Sequence, residues 1–270
     1  MRQVLQTLLT VQALGLLGSS FSQADTPEIL GAAGVVIDSF TGQRLHDKQA
    51  DQRMFPASTT KIMTALLVIE AGNLERLIEV ELSDTQVVPV SINLKPGDLA
   101  TRRQLLNVIM VHSANDAAMT LARDHSGSVE AFAEDMTRRA HQLGAVSTQF
   151  RNPHGLHHAE HWSTAHDLAL ITRYALQQPA FRQLAQLTHF TWQTGPDSRR
   201  VLTNRNRLLA DYSESTGVKT GYTRAAGRVL VSSAVRDRRE VIAVVMKTTN
   251  QGIWSDSRAL LQWGFEELGY

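Results

Sequence analysis

Segments with β-strand character lie near both ends of this chain, and segments with helical periodicity separate them. Residues 32–48 have the pattern of a strand, a turn at Thr41-Gly42 and a returning strand. Two further apolar, β-branched runs, 227–237 and 239–247, are joined by a charged turn. Helical patterns occupy 101–111, 115–126, 129–143, 164–176 and 255–268. A sheet must bury a face against another layer, so this order predicts an α+β fold: one antiparallel sheet made from both chain ends and packed with helices, with a mostly helical region inserted in its middle.

The most apolar helical pattern begins just after Pro56. Proline fits the first turn of a helix because its missing N–H has no intrahelical partner there. Apolar residues from 62 to 69 surround the helix axis, and Gly72 provides a stop. The sequence therefore predicts a buried central helix whose start carries Ser58 and Lys61, a hydroxyl and an amine about one helical turn apart.

Composition limits the kind of protein this chain forms. Its 270 residues are 43% hydrophobic, enough for one well-buried globular domain or two small ones. The 27 basic and 26 acidic residues give a net charge of +1, so the chain lacks the broad basic field that a nucleic-acid partner requires. There are no cysteines, which excludes disulfides, thiolate metal sites and a cysteine nucleophile.

The N-terminus has the pattern of an export signal. Arg2 precedes a mostly apolar stretch, 4–17, and the small residues Ser22 and Ala24 fit a signal-peptidase cleavage site. We expect residues 1–24 to be a signal peptide and residues 25–270 to be an exported domain that is periplasmic or otherwise extracytoplasmic. No later segment reaches the roughly 20 apolar residues of a membrane span, so we expect the mature protein to be a soluble monomer without a firm membrane anchor.

The Ser58–Lys61 pair has the residue types that nucleophilic catalysis requires. A serine hydroxyl becomes a good nucleophile when a base takes its proton and the developing oxyanion is stabilised. Residues at i and i+3 share a helix face, and Lys61 would serve as the base if burial lowered its pKa. Alone the pair is a weak indication, because S-x-x-K arises by chance about once in a chain of this length. It is then more often an N-cap serine beside a solvated lysine.

Two more motifs make the interpretation specific. Lys219, Thr220 and Gly221 form a K-T-G tripeptide directly before the second β pair, where a strand edge can present a cation, a hydroxyl and backbone amides to a cleft. Ser113 and Asn115 lie in "HSAND", at a break between two predicted helices. A second S-x-N occurs at 91–93, but the helix junction makes Ser113 the better candidate.

The three motifs in this order, S-x-x-K at 58–61, S-x-N at 113–115 and K-T-G at 219–221, resemble the penicillin-binding DD-peptidase and β-lactamase superfamily. The similarity covers nearly all of residues 30–266 and is greatest to the low-molecular-mass D-alanyl-D-alanine carboxypeptidases. It is carried by segments such as "FPASTTKIMTALLV", "LLNVIMVHSANDAA", "NPHGL" and "GVKTGYTRAAG". The resemblance implies the transpeptidase-like fold of this superfamily. It also implies peptidoglycan stem peptides ending in D-Ala-D-Ala as substrates, β-lactams as covalent inhibitors, and no cofactor.

The resemblance further implies a role for each catalytic residue. Ser58 would attack the D-Ala-D-Ala peptide bond, with Lys61 as its base. Ser113 would relay a proton to the departing D-alanine, while Asn115 would orient Lys61 and the substrate amide. Lys219 would supply positive charge to the cleft.

Substrate-binding roles follow from the same resemblance. Thr220 and Arg205, the latter in "NRN" at 204–206, would bind the terminal carboxylate. The amides of Ser58 and Tyr222 would form the oxyanion hole, and Gly221 would complete the substrate-binding strand edge.

Two related activities compete with the carboxypeptidase prediction. The chain ends shortly after "WGF" at 263–265, where such carboxypeptidases often continue into a β-rich domain and a membrane-bound helix; we expect neither here. The shorter penicillin-binding DD-endopeptidases, which cleave peptidoglycan cross-links, have this length and these motifs, although "SAND" and "GYTRAAG" favour the carboxypeptidase. A class A β-lactamase fits less well, because the E-x-x-L-N pattern that supplies its deacylating glutamate is missing.

Two interpretations involve no serine chemistry. Four histidines, His154, His157, His158 and His161, lie within eight residues, and imidazoles often bind zinc. We expect a polar surface loop instead, with His154 held by its own turn and no metal. A non-catalytic peptidoglycan-binding sensor is the other possibility, and the intact motifs argue against it.

Overall fold

One five-stranded antiparallel sheet forms the centre of the computed structural model, which describes residues 26–195 and 198–270. Its strands, in spatial order, are β2 (Arg44–Lys48), β1 (Ala33–Asp38), β9 (Arg239–Thr248), β8 (Gly227–Arg236) and β7 (Ser215–Thr223). The first two come from the N-terminal part of the chain and the other three from its C-terminal part. The predicted sheet made from both chain ends is therefore confirmed. The predicted signal peptide, residues 1–24, lies outside the described residues.

Period-two alternation gives this sheet two buried faces. Val35 and Ile37 of β1 belong to the large core shared with the inserted helices, whereas Val36 between them belongs to a second, smaller core. β9 alternates in the same way, with Val244 in the large core and Val245 in the small one. A sheet buried on both faces needs an apolar residue at nearly every position, which explains the unbroken β-branched runs of the sequence.

Helices cover both faces and fill the inserted region. They are α1 (Lys61–Glu70), α2 (Leu82–Thr85), α3 (Arg102–Val111), α4 (Asn115–Ser126), α5 (Val129–Gln142), α6 (Ala165–Gln177), α7 (Pro179–Ala185), α8 (Leu208–Asp211) and α9 (Gly252–Glu267). Leu260 and Phe265 of α9 pack in the small core, and α6 packs against β1 and β9 in the large one. None of the helices within the described residues is both long and apolar enough to cross a membrane.

The first inserted helix, α1, is the central element of the large core. Every residue from Lys61 to Val68 is buried, as the apolar run predicts. α3 begins at the predicted capping box, in which Thr101 Oγ1 accepts a hydrogen bond from Gln104 N at 3.1 Å. The bounds of α3, α4, α5 and α6 agree with the sequence patterns to within one residue at each end.

Several elements of the structure were not predicted from the sequence, or were indicated only weakly. The strands β5 (His189–Gly195) and β6 (Ser198–Thr203) form a separate hairpin whose buried residues include Trp192 and Leu202. Pro179 limits α6, as expected, but it also starts α7, because a proline is accommodated at the first position of a helix. A small two-stranded sheet, β3 (Leu77–Glu79) with β4 (Leu99–Thr101), occupies the region where only short strand signals were visible.

Candidate active site

Ser58 lies on a 3₁₀ turn, Ala57–Thr60, that leads directly into α1. Ala57 has a φ of +49°, in the left-handed region, so the chain bends sharply just before the serine. Thr60 Oγ1 lies 2.9 Å from His161 Nε2, which ties the turn to the segment before α6. The Ser58 side chain is half-buried and lines a cleft, in contrast to the surface position of a simple N-cap serine.

Lys61 is fully buried directly behind Ser58. Its Nζ lies 3.3 Å from Ser58 Oγ, 2.7 Å from Asn115 Oδ1 and 2.8 Å from the carbonyl oxygen of His154. A neutral amine has two N–H groups and one lone pair. Donation to Asn115 and His154 uses both N–H groups and leaves the lone pair for the Ser58 hydroxyl. This geometry suits a base that takes the serine proton.

Burial is also what makes the neutral form of Lys61 favourable. Desolvation, and then the positive charges of Lys219 and Arg205, hold the Lys61 pKa well below its ordinary value. Asp116 opposes this shift of the Lys61 pKa but is the weakest of the four influences. Lys61 was expected to act as a base only if burial lowered its pKa, and its burial has this effect.

Ser113 occupies the junction between α3 and α4. It has a φ of +71°, an uncommon conformation for a serine, and its buried hydroxyl accepts a hydrogen bond from Lys219 Nζ at 3.1 Å. Asn115, the first residue of α4, donates its backbone N–H to Val90 O at 2.7 Å. Its side chain bridges Lys61 Nζ and Pro89 O. Ser113 therefore lines the same cleft as Ser58, and Asn115 lies behind it, in contact with Lys61.

The second S-x-N sequence, at 91–93, has a structural role instead. The Ser91 hydroxyl donates to a carboxylate oxygen of Asp116, and the backbone N–H groups of Ile92 and Leu94 point at the same carboxylate. Asp116 thereby anchors the loop that carries Pro89, whereas Ser113, the preferred candidate, lines the cleft.

Strand β7 forms the opposite wall of the cleft. Lys219 is buried, and burial together with the charge of Arg205 lowers its pKa to about 7. Lys219 Nζ also donates to its neighbour's carbonyl, Thr220 O, at 3.1 Å. A Cβ on Gly221 would lie only 3.0 Å from Ser58 N, so a side chain at this position would crowd the turn that carries the nucleophile. The K-T-G motif is therefore brought beside the S-x-x-K motif.

The cleft between these walls has a volume of about 390 Å³. Ser58, Ser113 and the strand residues 220–222 line it, and so does Arg205. Among the described residues that line this cleft, none is an aspartate or a glutamate. The site therefore combines a half-buried nucleophile, two buried lysines and a cationic wall.

The histidine segment differs from the surface loop predicted for it. His154 and His161 are buried, and burial lowers the pKa of each to about 3, whereas His157 and His158 are exposed. His154 Nδ1 accepts from Leu156 N, so His154 is held by its own turn as expected. The four rings do not converge, and no cluster of potential metal ligands exists in the part of the chain that the structure describes.

Two contributors to the site were missed by the sequence analysis. The His154 carbonyl oxygen accepts from Lys61, and Gly155 beside it has a φ of +84°. A Cβ on Gly155 would lie 1.8 Å from the Ala57 carbonyl oxygen. The motif "NPHGL" contained the signal, since a glycine flanked by bulky residues often marks a close backbone approach.

Comparison with known proteins identifies close relatives of this chain. The sequence model of the family described as D-alanyl-D-alanine carboxypeptidase matches residues 20–250. The D-alanyl-D-alanine carboxypeptidase DacF of Bacillus subtilis is 35% identical over 256 residues, covering 91% of this chain. This chain spans only 66% of the length of that relative. DacB2 of Mycobacterium tuberculosis is 35% identical over 237 residues, which cover 86% of this chain and 81% of the relative.

Solved structures agree with the sequence comparison. The crystal structure of a D-alanyl-D-alanine carboxypeptidase from Mycobacterium tuberculosis superposes with a TM-score of 0.86 at 31% identity. The match covers 91% of this chain and 95% of that one. The predicted transpeptidase-like fold is therefore confirmed.

Proposed function

This chain belongs to the D-alanyl-D-alanine carboxypeptidase family, and from that premise we propose that it removes the terminal D-alanine from peptidoglycan stem pentapeptides through an acyl-enzyme on Ser58. The observation that carries the proposal is the buried Lys61, whose Nζ lies 3.3 Å from Ser58 Oγ while its two N–H groups are held by Asn115 and His154. A lysine in this position is an acceptor for the serine proton.

Acylation begins when neutral Lys61 takes the proton of the Ser58 hydroxyl. Ser58 Oγ attacks the carbonyl carbon of the D-Ala-D-Ala bond, and the carbonyl oxygen gains the negative charge. The amides of Ser58 and Tyr222 stabilise that charge, an arrangement supported by the close approach of Gly221 to Ser58 N. Thr220 and Arg205 bind the carboxylate of the terminal D-alanine.

The bond to the terminal D-alanine breaks when its nitrogen receives a proton. Ser113 delivers this proton, and Lys219, which donates to Ser113 Oγ at 3.1 Å, can replace it on the serine. A Lys219 pKa of about 7 suits a group that gives up and regains a proton near neutral pH. Water then hydrolyses the acyl-enzyme, releasing the shortened stem and regenerating the Ser58 hydroxyl.

Penicillins should acylate the same serine and leave slowly. Their ring nitrogen stays attached after the ring opens, so the leaving group continues to occupy the cleft. No carboxylate among the described cleft residues is positioned to activate a water for deacylation, unlike the glutamate of class A β-lactamases. We therefore expect a long-lived adduct and poor β-lactamase activity.

The proposed substrate is found outside the cytoplasmic membrane, so the enzyme must act there. Peptidoglycan is assembled outside the cytoplasmic membrane, and the N-terminal pattern of Arg2 and residues 4–24 is typical of a signal peptide. We infer that the protein is exported and acts in the periplasm or an equivalent extracytoplasmic space.

Mass spectrometry tests the proposal directly. Incubation with a D-Ala-D-Ala pentapeptide should yield the tetrapeptide and one D-alanine, and incubation with a penicillin should give a covalent adduct on Ser58. Ser58→Ala should lose both products. Its matched control is Ser83→Ala, which removes the hydroxyl of an exposed serine on α2 and leaves the nucleophile in place. D-alanine release that persists in Ser58→Ala would refute the serine mechanism.

A further inference from the structure

The cleft does not end at Arg205. Its lining continues to four further residues, Arg207, Arg228, Asn250 and Trp254. A second surface depression shares three of these residues with the cleft and extends it to Arg258 on α9. One groove therefore runs from Ser58, past the proposed carboxylate site, to the start of α9.

The segment before α8 directs two arginines into this groove. Asn206 N donates to Asn204 Oδ1 at 2.9 Å, and Leu208 N donates to Asn206 Oδ1 at 3.2 Å, so the two asparagines fold back on their own chain. Arg205 and Arg207 alternate with these asparagines, and both line the cleft. The second arginine adds a cation beyond the one proposed to bind the terminal carboxylate.

Aromatic rings orient the guanidinium groups at the far end. The Arg228 guanidinium lies 4.3 Å from the centroid of the Tyr222 ring, and its Nε donates to Asn250 Oδ1 at 2.5 Å. The Arg207 guanidinium lies 5.6 Å from the centroid of the Trp254 ring. A guanidinium stacked on a ring keeps N–H groups along its edge for a carboxylate, and it loses little entropy on binding.

Most of this positive charge is not neutralised by the protein. Within residues 26–195 and 198–270, no carboxylate forms an ion pair with Arg205 or Arg228. Arg207 approaches Asp211 only to 3.6 Å, and both side chains are exposed, so this pair contributes little. The groove therefore carries more cationic groups than one carboxylate requires.

We propose that Arg207 and Arg228, with Trp254, form a subsite for a second carboxylate carried by the leaving group. This inference rests on the proposed function. Arg205 and Thr220 bind the carboxylate next to the scissile bond, so the groove beyond them receives whatever extends past that carboxylate. Free D-alanine has no further group that could reach this part of the groove. The leaving group of a cross-linked stem dimer is a second stem peptide with further carboxylates, so the subsite suits cleavage of cross-links as well as removal of D-alanine.

The test compares kcat/KM for a stem pentapeptide and for a cross-linked stem dimer. The wild type should hydrolyse both. Arg207→Gln should lower kcat/KM for the dimer about tenfold, and Arg207→Gln combined with Arg228→Gln about 100-fold, because each removes a charge-assisted hydrogen bond. The pentapeptide kcat/KM of Arg207→Gln should stay within about twofold of the wild type. Arg239→Gln is the matched control: Arg239 also lies over a tyrosine, 6.0 Å from the Tyr270 ring, but outside the groove.

Each other outcome counts against the subsite. Equal losses on both substrates, or no loss on the dimer, would overturn it. A wild type that cleaves the pentapeptide and spares the dimer would overturn the subsite and leave the proposed function intact. A wild type that cleaves neither substrate, and forms no adduct on Ser58, would contradict the proposed function as well.

Discussion

The absence of charge on one side chain, Asn115, is central to how the candidate site operates. Asn115 Oδ1 accepts from Lys61 Nζ at 2.7 Å without adding a negative charge. A carboxylate in the same place would stabilise the protonated lysine and raise its pKa, since an opposite charge at this range typically shifts a pKa by about 1–3 units. An amide therefore orients the lysine while leaving its pKa low.

Asn115→Asp should therefore change the pH dependence of acylation. In the wild type, acylation should rise with pH on the acid limb as Lys61 loses its proton, because only the neutral amine accepts the proton of Ser58. In Asn115→Asp the same limb should move to higher pH by about 1–3 units. The measurement is the rate of penicillin adduct formation across pH.

Asn115→Ala separates this effect from loss of the hydrogen bond. It should acylate more slowly than the wild type without moving the limb to higher pH. A limb in Asn115→Asp that coincides with that of the wild type would show that Lys61 is not the titrating group.

Among the structural elements, the loop 151–156 and the 3₁₀ turn fit together through one close contact. A Cβ on Gly155 would lie 1.8 Å from Ala57 O and 2.8 Å from Thr60 Oγ1. Ala57 O belongs to backbone that cannot move without displacing Ser58. The loop therefore serves both as the acceptor for Lys61 and as the rear support of the nucleophile.

Gly155→Ala should destabilise the protein by about 3 kcal/mol or more, because it combines a steric clash with a left-handed backbone. Its acylation rate should fall about 100-fold, since a shift of about 1 Å misplaces the serine. Gly127→Ala is a matched control, with a φ of +80° and no atom within 4 Å of the added Cβ. It should cost about 1 kcal/mol and leave acylation unchanged. Urea unfolding and adduct kinetics measure both effects, and similar results for the two variants would refute this role for the loop.

Much of this architecture is visible in the sequence, because its elements depend on local patterns. The capping box at Thr101 and the apolar runs of β8 and β9 are complete within a few residues, so the helix start and the hairpin follow from them. Contacts between distant segments leave a weaker trace. The His154 carbonyl shows no side-chain signature, and the β5–β6 hairpin is stabilised by packing of Trp192 that no short pattern specifies. Arg207 likewise belongs to the cleft only because α9 packs beside it.

At the scale of the whole molecule, burial of two lysines links stability to pH. An unfolded lysine keeps its proton up to a pKa of about 10.5, whereas folded Lys219 releases it near 7 and folded Lys61 has a lowered pKa as well. Between these values the unfolded chain binds more protons than the folded one. The free energy of unfolding therefore rises with pH in this window, by up to about 1.4 kcal/mol per pH unit for each proton difference.

Denaturant unfolding at about pH 7, 8 and 9, values that lie between the folded and unfolded lysine pKa values, checks this expectation. The wild type should become more stable across the series, and Lys219→Met should show a smaller increase, because it removes one of the two buried amines. Lys95→Met, a substitution at an exposed lysine, should keep the wild-type slope. If the free energy of unfolding of the wild type did not change over this range, burial would not lower the pKa values of these lysines as proposed.

The pairing of β1 with β9 has a consequence for the biosynthesis of the protein. Val36 pairs with Ala243, and β8, the strand that holds the K-T-G strand in the sheet, lies just before β9. Until β7, β8 and β9 have been synthesised, one edge of β1 is unpaired, and Ser58 and Lys61 face an unfinished cleft. Contacts so distant in the chain also make folding slow. The cleft that the proposed activity requires is therefore completed only once β9 has joined β1 in the sheet.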